Sequence, residues 1–533
     1  MIMKKVLLMM VALMTTVTIF AKDDEEMEGW QKIFTPVTDA SELSGLHTAV
    51  AADGAVYASS TYNQDFQFAE KTVVADPDGM TYSCVLKYDK DGKEVWAVTL
   101  AGKCKVYGMT ADTDGTLYVA GKSEDLQVVM TGTDGAQTVI ENPTGFNAFF
   151  EEVIKANECF IAKINAEGVI QYVKTIIPEV NADIYAIVGD PYEMGMDMPI
   201  YDLSGNDPSS VTPCKIVLDG DKVYVAAIYT GDVEELGWKG AYLNYYGMDM
   251  MIFDVRSMGV FSLSKSNLTS PASVATVMPT ETVQTFTQYY PEAIDFVIYG
   301  GVPHVAFFGF GDLTLTTAAG AKPFSFDMDE EGLEHALVLA NVNAPEYAKK
   351  FGAAKNSNSY PTYELVGATL AGENCILGGT FYGNFPLDNT VTNEFNTSFV
   401  ASIKMADCSV NWATPNTAES YATCMVVTGE EIKASTDIAT YTLKTDTGAL
   451  KPEQTMDQSF NDADVYNDEY VSTISADGAN VVIFSPHMKP SGIEAVKAAA
   501  AKGETKIFNL NGQRVAEPQK GLYIVNGQKA VIK

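Results

Sequence analysis

Apolar and polar residues alternate in runs of five to seven positions along most of this chain, the two-residue period of a strand with one face turned inward. The clearest stretch reads SCVLKYDKDGKEVWAVTLAG (83–102) and continues as YGMTADTDGTLYVAGKSED (107–125). A hydrophobic strand leads through a charged turn to a Trp-bearing strand. A small-residue strand, an acidic Gly turn and a Tyr-Val strand ending in Ala-Gly follow.

Both halves of this phrase recur. The Tyr-Val half is found at 55–60, 116–121, 222–227, 302–307, 375–380, 431–436 and 480–485, the last two copies being degenerate. The other half lies once in every gap, at 84–89, 159–165, 260–265, 336–342, 399–405 and 439–445. Turns such as DKDG (89–92), DTDG (112–115), NAEG (165–168) and LDGD (218–221) are hairpin signals that place Gly where a positive φ is needed. Six intervals between positions 57 and 482 average about 71 residues, more than the ~40–50 of a typical propeller blade, so some connections are enlarged. The longest gap, from 118 to 224, marks the main insertions. Helical periodicity is confined to EAVKAAAAK (494–502).

Repetition of one four-stranded unit without helical layers predicts an all-β chain folded as a single β-propeller over 22–488, with seven blades favoured over six or eight. A linker (489–504) and a short C-terminal β-module (505–533) complete the expected organisation.

Composition changes this picture in two places. Residues 1–21 carry Lys4 and Lys5, then an apolar run from Val6 to Phe20, then Ala21, the three parts of an export signal; the run is too short and wrongly flanked for a membrane anchor. Net charge is −34, and −36 once the two signal lysines are removed, which speaks against nucleic acid or anionic lipid as a partner. Seven cysteines cannot all pair within the chain, and none shows metal-site C-x-x-C spacing; Cys84 with Cys104 is the disulfide to test.

The phrase K-Y-D-K-D-G-K-x-V-W followed by D-G-T-L-Y-V-A-G resembles the SBBP-type β-propeller repeat of secreted bacterial proteins. The likeness is close at 83–125 and fair at 159–227 and 336–387, with Trp96 matched by Trp412 and replaced by Tyr172 in another unit. It implies a fold and no common reaction. The tail FNLNGQRV (508–515) with KGLYIVNGQK (520–529) resembles the C-terminal sorting domain of the type IX secretion system of Bacteroidetes, Gly512, Arg514, Gly521 and Tyr523 being its telling residues. That resemblance implies export to the cell surface or medium through that machinery, with the periplasm as the alternative.

Chemistry is less legible. There is no G-x-S-x-G, H-E-x-x-H or P-loop, and the four histidines (His47, His304, His335, His487) are too few and too scattered for a histidine-built metal centre. No cofactor is expected; the acidic Gly turns leave calcium as an alternative, though they lack EF-hand ligand spacing. Asp295 is one carboxylate that a channel hydrolase could use, but nothing selects it. Gly-Met-Asp-Met occurs twice, at 195–198 and 247–250, in long aromatic insertions. Tyr192, Asp197, Tyr201, Trp238, Tyr242, Tyr245, Tyr246 and Asp249 are therefore the candidate ligand-binding residues, since rings cover sugar C–H surface and acids accept its hydroxyls. The same side chains could equally pack the insertions onto the propeller. The leading expectation is a non-enzymatic exported module binding a glycan or protein; a polysaccharide hydrolase or lyase and a structural envelope scaffold are the alternatives.

Overall fold

The computed structural model describes residues 30–147, 152–154, 156–179, 200–201, 209–244, 252–280, 290–326, 328–329, 332–356, 363–388, 391–466, 469–476, 479–485, 507–508, 521–525 and 528–532. Among the described residues, seven large antiparallel sheets follow one another in the unit Gln31–Ser485, with three small sheets in the connections between their strands. The strands of the seven large sheets are lettered a to d in meander order.

Sheet 1 comprises Thr48–Val50, Val56–Tyr62, Tyr82–Tyr88 and Glu94–Ala101; sheet 2 comprises Cys104–Ala111, Leu117–Ser123, Cys159–Ile164 and Ile170–Ile176. Sheet 3 is built from Ser209–Asp219, Lys222–Tyr229, Ser257–Ser264 and Ala272–Pro279. Sheet 4 follows with Tyr290–Tyr299, Val302–Phe310, Gly332–Asn341 and Lys349–Asn356. Sheet 5 has Glu364–Ala371, Asn374–Asn384, Thr392–Lys404 and Val410–Pro415, and sheet 6 has three strands, Ala422–Thr428, Glu431–Thr436 and Thr440–Lys444. Sheet 7 takes Asp462–Tyr466, Glu469–Ala476 and Asn480–Ser485, and its outer strand is Trp30–Phe34 from the other end of the chain.

The a strands pack against one another in the order 1 to 7, and that of sheet 7 meets that of sheet 1. All seven line one central channel. Sheets set radially around an axis and closed into a ring make a β-propeller, the fold class the repeat predicts.

The second strands explain why the sequence folds this way. Val56–Tyr62 is buried at every position, because each blade is covered on both faces by its neighbours. Apolar clusters accordingly lie between successive sheets: Tyr57, Val85 and Val98 meet Val106, Val119 and Phe160, and Tyr118, Ala120 and Ile161 meet Val223, Val225 and Phe261. Each buried Val or Phe of this kind contributes ~1.5–3 kcal/mol.

Tyr, Lys and Trp of the repeated phrase have a shared task. Tyr57, Lys87 and Trp96 stand in register across sheet 1, with the Lys87 ammonium 5.3 Å from the tyrosine ring and 6.0 Å from the indole. Lys87 Nζ and Trp96 Nε1 both donate to Ala166 O in the c–d turn of sheet 2, at 2.8 and 3.0 Å. Sheet 2 repeats the row as Tyr118, Lys163 and Tyr172, and Lys163 Nζ donates to Lys265 O and Ser266 O of sheet 3. Trp412 of sheet 5 donates to Thr445 O of sheet 6 at 3.2 Å. The phrase thus latches sheet 1 to sheet 2, sheet 2 to sheet 3 and sheet 5 to sheet 6.

Six of the seven Tyr-Val copies fall on b strands. The seventh, 480–485, is instead the c strand of sheet 7, whose b strand Glu469–Ala476 lacks the motif. Part of the long 118–224 interval is a hairpin, Gln127–Thr131 with Gln137–Glu141, that leaves sheet 2 and pairs onto the outer strand of sheet 1. Leu313–Thr317 and Gly320–Phe324 do the same from sheet 4 onto sheet 3. Cys84 and Cys104 are both buried free thiols, so the proposed disulfide is not formed; Cys84 Sγ lies 3.5 Å from Ser60 O. Ile507–Phe508, Gly521–Val525 and Gln528–Ile532 form a three-stranded antiparallel sheet in the second unit, which holds the chain termini. The helix expected at 494–502 lies outside the described residues.

Candidate binding face and central channel

Because each sheet is an antiparallel meander, its a–b and c–d turns emerge at one end of the ring and its b–c and d–a connections at the other. The first end carries tight turns: Gly220-Asp221, Gly300-Gly301, Gly372-Glu373 and Gly429-Glu430 close the a–b hairpins of sheets 3 to 6. Connections 63–81, 124–158, 177–208, 230–256 and 311–331 leave and re-enter the ring at the other end, whereas 445–461, after the third strand of sheet 6, leaves at the first. The hairpins within 63–81 and 124–158 run back along the outer edge: Ala69 N–H donates to Glu94 Oε2 beside the c–d turn of sheet 1 at 2.7 Å, and Thr133 N–H to Gly168 O in the c–d turn of sheet 2 at 3.1 Å.

The acidic Gly turns belong to the tight-turn end, and their oxygens serve their own backbone. Asp89 Oδ1 accepts the N–H groups of Asp91 and Lys93, at 3.0 and 2.8 Å, while Asp114 Oδ1 accepts that of Thr116 at 2.9 Å. These are Asx-type turns. Among the described residues no group of three or more His, Cys, Asp or Glu is arranged to hold a metal ion.

The channel encloses about 830 Å³. Five a strands carry a one-residue bulge, at Tyr107, Cys214, Glu292, Val366 and Thr423. Tyr107, Cys214, Val366 and Thr423 line the channel. A bulge bends a strand and re-aims its side chain, so the channel wall departs from strict alternation at these positions.

Charged groups in the channel are paired with the ring itself. Asp295 is buried and meets Lys215 Nζ at 2.7 Å, and the same ammonium donates to Phe296 O at 3.1 Å and to Ala368 O at 2.5 Å. One lysine of sheet 3 thus ties sheets 4 and 5. Burial pushes the Asp295 carboxyl above the usual carboxylate range, against the pull of Lys215. At the closing seam, Thr48 N–H donates to Asp462 Oδ2 and Val50 N–H to Asp464 Oδ2, each at 2.8 Å. Two acids of sheet 7 thereby satisfy amides on the channel-side edge of sheet 1 that no strand pairs. His47 Nδ1 lies 3.5 Å from Asp462 Oδ2. Withdrawal from solvent raises the Asp464 carboxyl to about 6, against its bonds from Val465 and Val50 N–H.

Of the residues singled out in the sequence, Trp238 is 2% exposed. Its ring lies 4.7 Å from that of Tyr229 and 5.9 Å from that of Phe261, and Nε1 donates to Ser273 Oγ at 2.7 Å. It presents no ring face to a ligand and packs the 230–256 connection onto sheet 3. Tyr242 stands opposite Asp254 in the hairpin Ala241–Asn244 with Ile252–Val255, and Tyr201 on Ile200–Tyr201 opposite Asn147. Tyr192, Asp197, Tyr245, Tyr246 and Asp249 lie outside the described residues, as do Gly512 and Arg514, whereas Gly521 and Tyr523 sit on the strand Gly521–Val525. Sequence reading passed over Lys215, Asp462 and Asp464. The period-two acids of Asp462-Ala-Asp464 were the available signal, masked by 69 acidic residues in the chain.

No family model matches the chain, and no curated protein matches it. Among solved structures it is similar to the Dos1 propeller, at 9% identity and a TM-score of 0.38, over 86% of this chain and 96% of that one. BamB from Moraxella catarrhalis aligns at 13% identity and a TM-score of 0.30, over 80% and 96%. The Cps50 (Swd1) β-propeller domain from Myceliophteria thermophila aligns at 7% identity and 0.38, over 83% and 97%. At such TM-scores these likenesses carry no weight for function, and the fold rests on the seven sheets and their ring.

Proposed function

We propose that this chain is an exported, cell-surface module that binds a glycan or protein at the end of the ring where most of its long connections leave and return, without transforming it. The observation behind this reading is the difference between the ends: five long connections leave and return on one side, while short turns close most hairpins on the other. Loops held by a rigid scaffold are where binding residues concentrate. The charged channel groups described above are engaged in holding blades together, which favours a scaffold channel over a reactive one. The test is a glycan and protein array probed with the full chain and with a variant whose 180–199 segment is replaced by a short Gly-Ser link. Ligand signal should fall in the variant; a ligand bound equally by both would refute the face assignment.

A second reading, a polysaccharide hydrolase, draws on Asp464, whose carboxyl is raised to about 6 beside Asp462 in the channel. Product release from a polysaccharide that is lost in Asp464→Asn would favour it. Export and sorting rest on residues 1–21 and 505–533. Deleting 505–533 should abolish surface display in cell fractionation, and unchanged display would remove the sorting assignment.

A further inference from the structure

The insertion-bearing end of sheet 2 holds an arrangement that costs the fold stability. Lys105 and Lys122 stand directly opposite in the a–b ladder. Like charges in that relation repel. Both ammonium groups sit over the same ring, Tyr107, at 5.2 and 5.9 Å from its centroid. Lys122 is neutralised by Glu124 at 2.7 Å, and Lys103 reaches the other oxygen of Glu124 at 3.6 Å. Asp125 is spent on the backbone, accepting Lys103 N–H at 3.1 Å. Among the described residues no carboxylate forms an ion pair with Lys105. Lys105 and Tyr107 are both half-buried, and Tyr107 lines the channel at its bulge.

Among the described residues Glu124 is thus the acid that acts on three ammonium groups, those of Lys103, Lys105 and Lys122, unexpected in a chain with 69 acidic and 35 basic residues. A local choice that works against the fold is the mark of a functional position. Three ammonium groups around one carboxylate leave positive charge for a further anion. A polyanion would be repelled by the net charge of −34, so the anion must be a single group on an otherwise neutral chain. The half-exposed Tyr107 ring can cover sugar C–H surface.

We propose that Lys105, Tyr107 and Lys122 form a subsite for the carboxylate of a uronic acid residue in an otherwise neutral glycan. This rests on the reading that the insertion-bearing face is the binding face. A charge-assisted bond of this kind is worth ~1.5–3 kcal/mol, about tenfold or more in affinity.

The experiment titrates the full chain with a neutral oligosaccharide ending in glucuronic acid and with the same chain ending in glucose. A tripeptide with a free or an amidated C-terminus is the second pair of probes. The wild type should prefer the glucuronate-ended chain by about tenfold. Lys105→Met, which keeps the apolar stem, should lose that preference while binding the glucose-ended chain unchanged. Its thermal midpoint should hold or rise because a like-charge pair is gone, and Lys105→Arg should keep the preference. Preference for the acid end that persists in folded Lys105→Met overturns the subsite. So does binding of the free peptide carboxylate without the uronate. Equal binding of both oligosaccharides overturns the subsite and leaves the binding face standing; no binding of any probe by the wild type counts against both.

Discussion

Gly168 tests the blade-to-blade latch. It sits in the c–d turn of sheet 2 at φ +84°, where a Cβ would lie 2.9 Å from Cδ2 of Trp96 and 2.5 Å from the Thr133 methyl. Gly372, in the a–b turn of sheet 5, has φ +62° and nothing within 4 Å of such a Cβ. Gly372→Ala therefore carries only the left-handed backbone cost, ~1–2 kcal/mol. Gly168→Ala carries that cost plus displacement of the Thr133 methyl and of an indole already fixed by its bond to Ala166 O, together a further ~1–3 kcal/mol. Urea unfolding followed by far-ultraviolet circular dichroism should give a clearly lower midpoint for Gly168→Ala, with slopes unchanged. Trp96→Ala alone should cost ~3–5 kcal/mol. Combined with Gly168→Ala it should cost less than the sum, because the added methyl then meets no indole. Equal costs at the two glycines, or full additivity in the double variant, would refute the latch.

Three other outcomes follow from the structure. Asp464 has a folded-state pKa raised to about 6, so the stability it contributes is complete below the ordinary carboxylate value of 3.8 and is lost as pH rises through about 6. Asp464→Asn should remove that slope, its stability relative to wild type growing from pH 4 to 7; parallel pH profiles would show the carboxyl is not desolvated. Removing residues 30–34 strips the outer strand from sheet 7 and should lower the unfolding midpoint sharply, whereas an unchanged midpoint would mean this strand does not close the ring. Cys408 occupies φ +53° in the c–d turn of sheet 5, where the equivalent turn of sheet 6 has Gly448 at +66°. Cys408→Gly should stabilise by up to about 1 kcal/mol in urea, the backbone relief outweighing the entropy of glycine.

The b and c strands were legible because both faces of each are buried, so Tyr-Val and Val-Leu-Lys runs recur wherever a blade does. The a strands were not. In Ser209–Asp219, Pro213 and the bulge at Cys214 break the alternation, and the channel wall takes polar and small residues together. In sheet 7 the seventh copy falls on the c strand for a related reason: Asn480–Ser485 is packed like a b strand but pairs with Trp30–Phe34, so no d strand follows it in sequence. Trp238 shows the limit of composition as evidence. Its aromatic neighbourhood is equally the signature of packing, and Gly259 leaves it room, a Cβ there falling 2.6 Å from the indole. Lys105 opposite Lys122 could be seen only once the register was known.

The central claim is that ligand is taken at the end where the connections are long. Hydrogen–deuterium exchange of the full chain, with and without the ligand that an array identifies, addresses it directly. Exchange should slow at 103–107 and 122–125 and in the connections that open beside them. Protection confined to the opposite turns, 89–93, 165–169 and 405–409, would contradict it.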